Sequence, residues 1–517
     1  FAFLHLFVIE PIFAFYVSSL TMALTEEQIR LILGLKLKQT RAKKDLSLFG
    51  LAKKTGLSKS YLNEIEKGKK YPKPDKIVAI AEALDSSYEE MVNMKLTGSM
   101  APLSDIILSG VLKEIPLELF GIDEGQLIDI IANAPDKVTT FIGTLFEIAR
   151  SRNISREDFY LSALRSYQES HQNYFSELEK AVKTFIKRYQ IGEDHKLNSA
   201  ELEEVLTDEF GYTIDYEALD AGDHLGQIRS VFDPKSKTLM IAEEVSETQR
   251  VFILAKELGY CHLGIEVRPL TFSWIKFDGF EEVLNNFKAS YFAGALILNE
   301  DKLVGDLKSF FAEEKWKPKE FLKLMFSYTD SAETFFQRLT NLLPKHFGIS
   351  DMFFLRFGSK LSEKRINLTK EYHIGSSYQP RAHQEREHYC RRWVSTDILL
   401  NEDTYAEREG IRIGAQLSHF SDTQARHLIL AASNDDPFNP DWRRSVCIGI
   451  ALHAKQKRKI KFASNDTLKE RLVGNTCERC SIEDCKERAA RPVLLEKQRA
   501  NEEIEARVME LFEERSS

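Results

Sequence analysis

Three cysteines stand close together near the end of the chain, Cys477, Cys480 and Cys485, in a C-x2-C-x4-C spacing. Thiolates two residues apart can grip one metal ion from a tight turn, and a third can reach it from the next turn. Zinc would take a fourth ligand, for which Cys390, Cys447, His388 and His453 are candidates. The same thiols could instead pack in a core or form a redox pair. The second concentration of chemistry is electrostatic. Between Arg30 and Lys76 there are 14 Lys and Arg against 4 Asp and Glu, a local charge of +10. The whole chain carries −8, so the remainder carries −18. A basic block on an acidic chain suits a polyanion at one place and a different partner elsewhere.

The elements that must position these groups are bounded by length and composition. At about 100–200 residues per domain, 517 residues make three or four domains. A chain with 43% hydrophobic and 29% charged residues is neither a collagen, a disordered tail nor a polytopic membrane protein. Six cysteines are too few for a secreted disulfide scaffold and fit a reducing, cytoplasmic location. The opening FAFLHLFVIEPIFAFYVSSLT is apolar but holds Glu10 and Pro11 mid-run and no preceding basic residue. It therefore suits neither an export signal nor a spanning helix of about 20 apolar residues. Residues 1–21 are expected to be a mis-called upstream segment, with Met22 as the start of the organised chain and no membrane partner.

From Ile29 the apolar positions Ile29, Ile32, Leu33 and Leu37 recur at helical spacing, with Lys36, Lys38, Arg41, Lys43 and Lys44 elsewhere on the helix. Ser47 can cap a short second helix that Gly56 stops. Ser58 can cap a third, with Leu62 and Ile65 pointing inward, and Gly68 ends it. Ile77, Ile80 and Leu84 mark a fourth helix after Pro72 and Pro74. Helix, glycine turn, helix is the helix-turn-helix arrangement. From Ile29 to about Lys95 the segment resembles the Cro/CI-type (XRE) helix-turn-helix family. By that resemblance Lys59, Ser60, Asn63 and Glu64 face base edges from the recognition helix, and Lys67, Lys69, Lys70 and Tyr71 meet phosphates. Arg41 and Glu66 occupy the positions of the family's structural ion pair. Leu48 stands where the family usually has Gln, which removes one expected backbone contact. Double-stranded DNA with a roughly palindromic operator, read by a homodimer, is the implied partner.

Residues 98–195 read as a helical connector with a dimerisation role, including DKVTTFIGTLFEIARS and YFSELEKAVKTFIKRYQ. From about 196 the order changes to the helix SAELEEVLTDEF, the strand GYTIDY, the hairpin RSVFDPKSKTLMIAEE and the helices ETQRVFILAKELGYCHLG and NNFKASYFAGAL. That order resembles the ImmA/IrrE-type metallopeptidase family, which carries H-E-x-x-H on a helix and a glutamate ligand on a second. Here Lys256 and Tyr260 stand at the two His positions, Asn286 stands at the glutamate position, and only Glu257 remains. His262 lies two residues past the required place. An ammonium and a phenol cannot replace two imidazoles, so residues 196–345 are expected to be a degenerate, non-catalytic metallopeptidase-like domain.

Residues 346–492 read as mixed α and β, with strands in HFGISDMFFLRFG, RHLILAAS and SVCIGIALHAKQKRKIKF. CRRW followed by CERCSIEDCKERAARP, read with the two preceding domains, resembles the short-chain fatty acyl-CoA regulator family of bacterial transcription factors. The resemblance implies control of carbon or fatty-acid metabolism genes and an acyl-CoA or related effector. Its phosphates could meet Lys455, Lys457, Arg458, Lys459 and Lys461, helped by Arg391 and Arg392. A charged helix is expected over 493–517.

The expectation is thus a multidomain protein: an all-α helix-turn-helix domain over 22–97, a helical connector, and α+β C-terminal domains. It is expected to be a non-enzymatic, sequence-specific regulator, with no catalytic residue and zinc at Cys477, Cys480 and Cys485 as its one cofactor candidate. A metal- or thiol-redox-responsive regulator on the same DNA module is the rival reading. A zinc peptidase acting on a repressor is the remoter one.

Overall fold

The computed structural model describes residues 26–93 and 156–516, apart from 193–194, 220–227, 270–276, 278, 364, 376–379, 381–386, 402–403, 437–438 and 465–467. The opening segment 1–21 and the helix expected over 136–151 lie outside the described residues. The chain forms two compact units, residues 1–160 and 161–517. The first is helical and the second mixes helices and sheet, a multidomain architecture.

The first unit has α1 (Glu26–Lys43), α2 (Leu48–Thr55), α3 (Lys59–Glu66), α4 (Pro74–Ala83) and α5 (Tyr88–Val92). Leu33, Leu37, Leu51, Leu62, Ile65, Ile77, Ile80 and Leu84 form its core. Helix α5 is an addition to the four expected helices. A capping box between Ser87 and Glu90 starts it, and Met91 docks it on the core. Gly34 lets α1 touch α3 backbone to backbone. A Cβ there would lie 2.3 Å from the Ile65 carbonyl oxygen, so no larger residue fits without shifting a helix.

The chain enters the second unit through α6 (Arg156–Ser170), followed by α7 (Ser176–Arg188), α8 (Ser199–Phe210), β1 (Thr213–Asp215), β2 (Ser230–Asp233), β3 (Thr238–Ile241), α9 (Glu247–His262) and α10 (Phe280–Ile297). The small sheet has the order β1-β3-β2, with β2 and β3 as the expected antiparallel hairpin. Phe175, Leu178, Val182 and Phe185 at α7 share one core with Leu254 and Leu258 of α9 and Phe292 of α10. The segment expected to be a connector to residue 195 therefore contributes α7 to this body. Its amphipathic stripe showed a buried face but not the face it meets.

Helices α11 (Glu300–Phe311), α12 (Pro318–Phe326) and α13 (Ala332–Phe347) come next, then β4 (Met352–Lys360), β5 (Arg365–Ile374), α14 (Val394–Leu400), β6 (Ala406–Arg408), β7 (Ile411–Phe420), β8 (Arg426–Asp436), β9 (Asn439–Ala451), α15 (Ala454–Lys459), β10 (Glu470–Val473) and α16 (Val493–Ser516). The large sheet runs β10-β7-β8-β9-β4-β5, with β6 beside β7. Its strands alternate faces with period two. Phe354, Leu428, Leu430, Ile448 and Ile450 face α11–α13, while Phe353, Leu355, Phe357, Ile429 and Cys447 face α14 and the Tyr389–Val394 segment. The expected boundary at 345 is displaced as a result: helices α11–α13 share the core of the sheet rather than that of α7–α10. Among the described residues no helix is long and apolar enough to cross a membrane.

Candidate nucleic-acid interface and buried polar sites

In the first unit the cap and turn chemistry puts α2 and α3 in place. The Ser47 hydroxyl accepts from the Gly50 N–H at 3.0 Å, and the Ser58 hydroxyl accepts from the Tyr61 N–H at 3.1 Å. Gly56 ends α2 with φ of 68°, a conformation that costs a glycine little. Leu62 and Ile65 anchor the inner face of α3 in the core, which leaves Lys59, Ser60, Asn63 and Glu64 exposed on one outer face. Lys67, Lys69, Lys70 and Tyr71 follow and are exposed too. Arg41 clamps the far end of α3: its Nε donates to Glu66 Oε1 at 2.6 Å and a terminal NH2 nitrogen donates to Oε2 at 2.9 Å. A third donation, to the Leu46 carbonyl at 2.8 Å, ties the same guanidinium to the loop before α2.

The eight outward residues are not equivalent. Lys70 Nζ lies 3.7 Å from Glu64 and 5.2 Å from the centre of the Tyr61 ring, so these two members of the surface face each other. Leu48 turns toward the core instead of outward. Phe49 beside it is 69% exposed, an aromatic on the first turn of α2 that sequence reasoning passed over. Its only signal is a large apolar residue two positions after the Ser47 cap.

A model of the helix-turn-helix family matches residues 37–91. Those residues are a helix-turn-helix domain. A Mycobacterium tuberculosis transcriptional regulator of known structure is similar at 19% identity, with a TM-score of 0.44 over 63% of this chain and 92% of that one. No curated relative matches the chain. Within that domain α3 carries an exposed polar outer face and a basic C-terminal flank.

The second unit holds a buried polar cluster. Lys256, Tyr260 and Asn286 meet there: Lys256 Nζ donates to Asn286 Oδ1 at 2.6 Å and the Tyr260 hydroxyl donates to the same atom at 3.3 Å. Burial pushes the Lys256 ammonium down to about 8. Glu257, beside it on the helix, accepts from Arg268 at 2.5 Å and from the Tyr212 hydroxyl at 3.3 Å. Arg268 was missed from sequence because its loop position has no periodic signal. The carboxylate left from the expected motif is thus occupied by an arginine, and two cationic groups stand where a metal ion would. Lysine, tyrosine and asparagine do not make a zinc site. His262 is elsewhere, edge-on to Phe185.

The cysteine cluster is assembled from two segments. The Cys390 amide donates to the Asn475 carbonyl and the Cys477 amide to the His388 carbonyl, pinning the Tyr389 segment against Thr476. This brings the Cys390 thiol into electrostatic contact with Cys477 and Cys480. Burial pushes Cys390 up to about 12, opposed by backbone hydrogen bonds from Arg392 and Gly474. The Ala489 N–H donates to Cys477 Sγ at 3.3 Å. Amide donors on sulfur favour the thiolate, whereas burial, the larger effect at Cys390 and Cys480, favours the thiol. Among the described residues no three His, Cys, Asp or Glu side chains stand in metal-ligand geometry. Cys485 instead points its thiol toward Glu487. Of the other fourth-ligand candidates, Cys447 lies in the sheet core, His388 bonds to Glu478 and His453 lies near Asp351.

The basic run proposed for an effector is partly committed. Lys459 donates to the Phe347 carbonyl and Lys461 pairs with Glu314 at 3.1 Å. These contacts fasten α15 and the segment after it to the end of α13 and to the loop between α11 and α12.

Proposed function

We propose that the protein is a sequence-specific transcriptional regulator that binds a roughly twofold operator as a homodimer through α3. Lys59, Ser60, Asn63 and Glu64 read base edges, and Lys67, Lys69, Lys70 and Tyr71 hold the backbone. The observation that carries this reading is the exposed, hydrophilic outer face of α3, held at both ends by the Ser58 cap and the Arg41–Glu66 clamp. Its charge is concentrated within a helix-turn-helix domain. The C-terminal unit is read as an effector domain for a short-chain acyl-CoA or related metabolite, controlling carbon or fatty-acid metabolism genes and acting in the cytoplasm. That an effector must distinguish two states of the regulator is a thermodynamic requirement. The polar cluster around Lys256 supports a non-catalytic role for α9 and α10, because its former ligand positions bond to one another.

Sequencing of genomic fragments captured by the full chain tests the reading. A recurrent, roughly palindromic site upstream of acyl-CoA or glyoxylate-cycle genes is expected. A recurrent site upstream of unrelated genes would remove the metabolic half, and the absence of any enriched site would remove both.

A second reading rests on the backbone pairing that pins the Cys390 segment against Asn475–Cys477. Cys390, Cys477, Cys480 and Cys485 would hold a metal as four thiolates once the Cys485 segment closes on it, which makes the DNA module metal- or redox-responsive. Metal analysis of the full chain, compared with a Cys390→Ser variant, decides it: metal retained in the variant excludes Cys390.

A further inference from the structure

A cavity of about 510 Å³ opens in the C-terminal unit between α6, α10, α13 and the outer strand β5. Leu161, Leu164, Phe252 and Phe287 give it an apolar patch on the helix side, set among polar groups such as Gln168 and Asn286. Cavities of several hundred cubic ångströms with a mostly apolar lining and a few charged groups are the common form of a small-molecule site.

The charges at its edge are unbalanced. Lys370 lines the cavity from β5 and keeps 46% of its side chain exposed there. It shares Glu333 with Arg356, whose guanidinium donates to both carboxylate oxygens at 2.9 and 3.0 Å. Despite burial, Arg356 and Lys370 hold Glu333 down to about 2. Arg444 acts on the same carboxylate and pairs with Asp436. Arg229 lies in the same field, and burial followed by repulsion from Arg444 lowers its pKa. At the other side of the cavity Arg165 meets Glu371 at 2.7 Å. Among the described residues the cavity wall itself carries Arg165, Arg338 and Lys370 against Glu371; Glu179 answers Arg338, and Glu333 is shared by Lys370 and Arg356 beside the wall.

We propose that this cavity binds an organic anion, with its apolar body against Phe252 and Phe287 and its carboxylate or phosphate at Lys370, which Arg356 supports by sharing Glu333. The excess positive charge at the rim and the apolar patch behind it are complementary to such a molecule. The site rests on the effector-domain reading above but lies apart from the basic run at α15. It also gives that reading a route: the anion would bridge β5 to α6, the helix through which the chain enters this unit. A ligand that holds α6 in one arrangement shifts the population of states that differ in α6.

The test is calorimetric titration of the full chain with phenyl phosphate, phenylacetate and the neutral benzyl alcohol. At least one anion is expected to bind at one site about tenfold more tightly than the alcohol. Whichever anion binds better tells phosphate from carboxylate. Lys370→Glu is expected to abolish that preference, and Lys370→Gln to weaken it without altering the melting temperature, which separates lost binding from lost folding. Equal affinity for all three compounds, no saturable binding of either anion, or an unchanged preference in folded Lys370→Glu would each overturn the proposal. Operator binding by the same Lys370 variants keeps the two readings separate. It persists if only the cavity assignment fails, whereas wild-type protein without an operator refutes the regulator reading.

Discussion

The helix-turn-helix domain and the C-terminal unit contain the same kinds of charged residue and use them in opposite ways. Around α3 the charges face outward, and Lys59, Glu64, Lys67 and Lys69 are exposed. In the C-terminal unit Arg338, 1% exposed, donates to both oxygens of Glu179 at 2.6 and 3.0 Å and to the Leu298 carbonyl. Arg268 fills Glu257 and Lys256 fills Asn286. Outward charges leave free energy for a partner. Inward charges are consumed in holding the fold, and each is costly to leave unpaired. Arg41–Glu66 is the exception in the first domain, a half-buried pair that serves to orient the outward face.

The sharpest break in that contrast would come from Arg338→Ala. Leaving Glu179 buried without its partner is expected to cost about 3–5 kcal/mol in urea unfolding of the full chain, with no loss of operator affinity in the folded fraction. A cost near zero would mean that the pair is hydrated in solution.

Lys256→Met comes next, with the opposite sign. The folded pKa of Lys256 is about 8 against an ordinary 10.5, so between those values the unfolded chain binds more protons and stability rises with pH. Below pH 8 the ammonium is charged in both states and its burial is a constant cost. The substitution is therefore expected to stabilise the unit at pH 7 by on the order of 3 kcal/mol, a gain that shrinks as pH climbs from 8 to 10.5. Unfolding titrations at pH 7 and pH 10 measure it. A gain independent of pH would show that Lys256 is not the titrating group.

On the outward side Lys59→Ala is expected to weaken operator binding by about 1–3 kcal/mol while leaving binding to random DNA much less affected. Equal losses on both would assign Lys59 to phosphates. The smallest effect belongs to Lys69→Ala, a nearly uniform weakening in which the slope of log affinity against log salt falls by about one. Neither variant should shift urea unfolding by more than about 0.5 kcal/mol, since both side chains are exposed.

Legibility from sequence follows the same division. Ser47, Gly56, Ser58 and Gly68 are local signals, each acting within a few residues, and α2 and α3 begin or end at them. The hairpin β2–β3 and the alternating strands β4, β8 and β9 were legible for the same reason. What was not legible is which amphipathic face meets which. The stripe of α7 is as clear as that of α13, yet one packs on α9 and α10 and the other on the large sheet. Gly34 belongs with these, because nothing beside it in the chain announces the Ile65 carbonyl.

By itself the sequence determined the local chemistry of this protein: a capped helix-turn-helix with a net +10 around it, Lys256 and Tyr260 one helical turn apart, and thiols at 477, 480 and 485. Only the tertiary structure decided who neutralises whom. Arg268 on Glu257, Arg338 on Glu179 and Cys390 beside Cys477 join residues 11, 159 and 87 positions apart in the chain. Pairings across such distances are set by long-range packing, which burial enforces and local spacing does not encode.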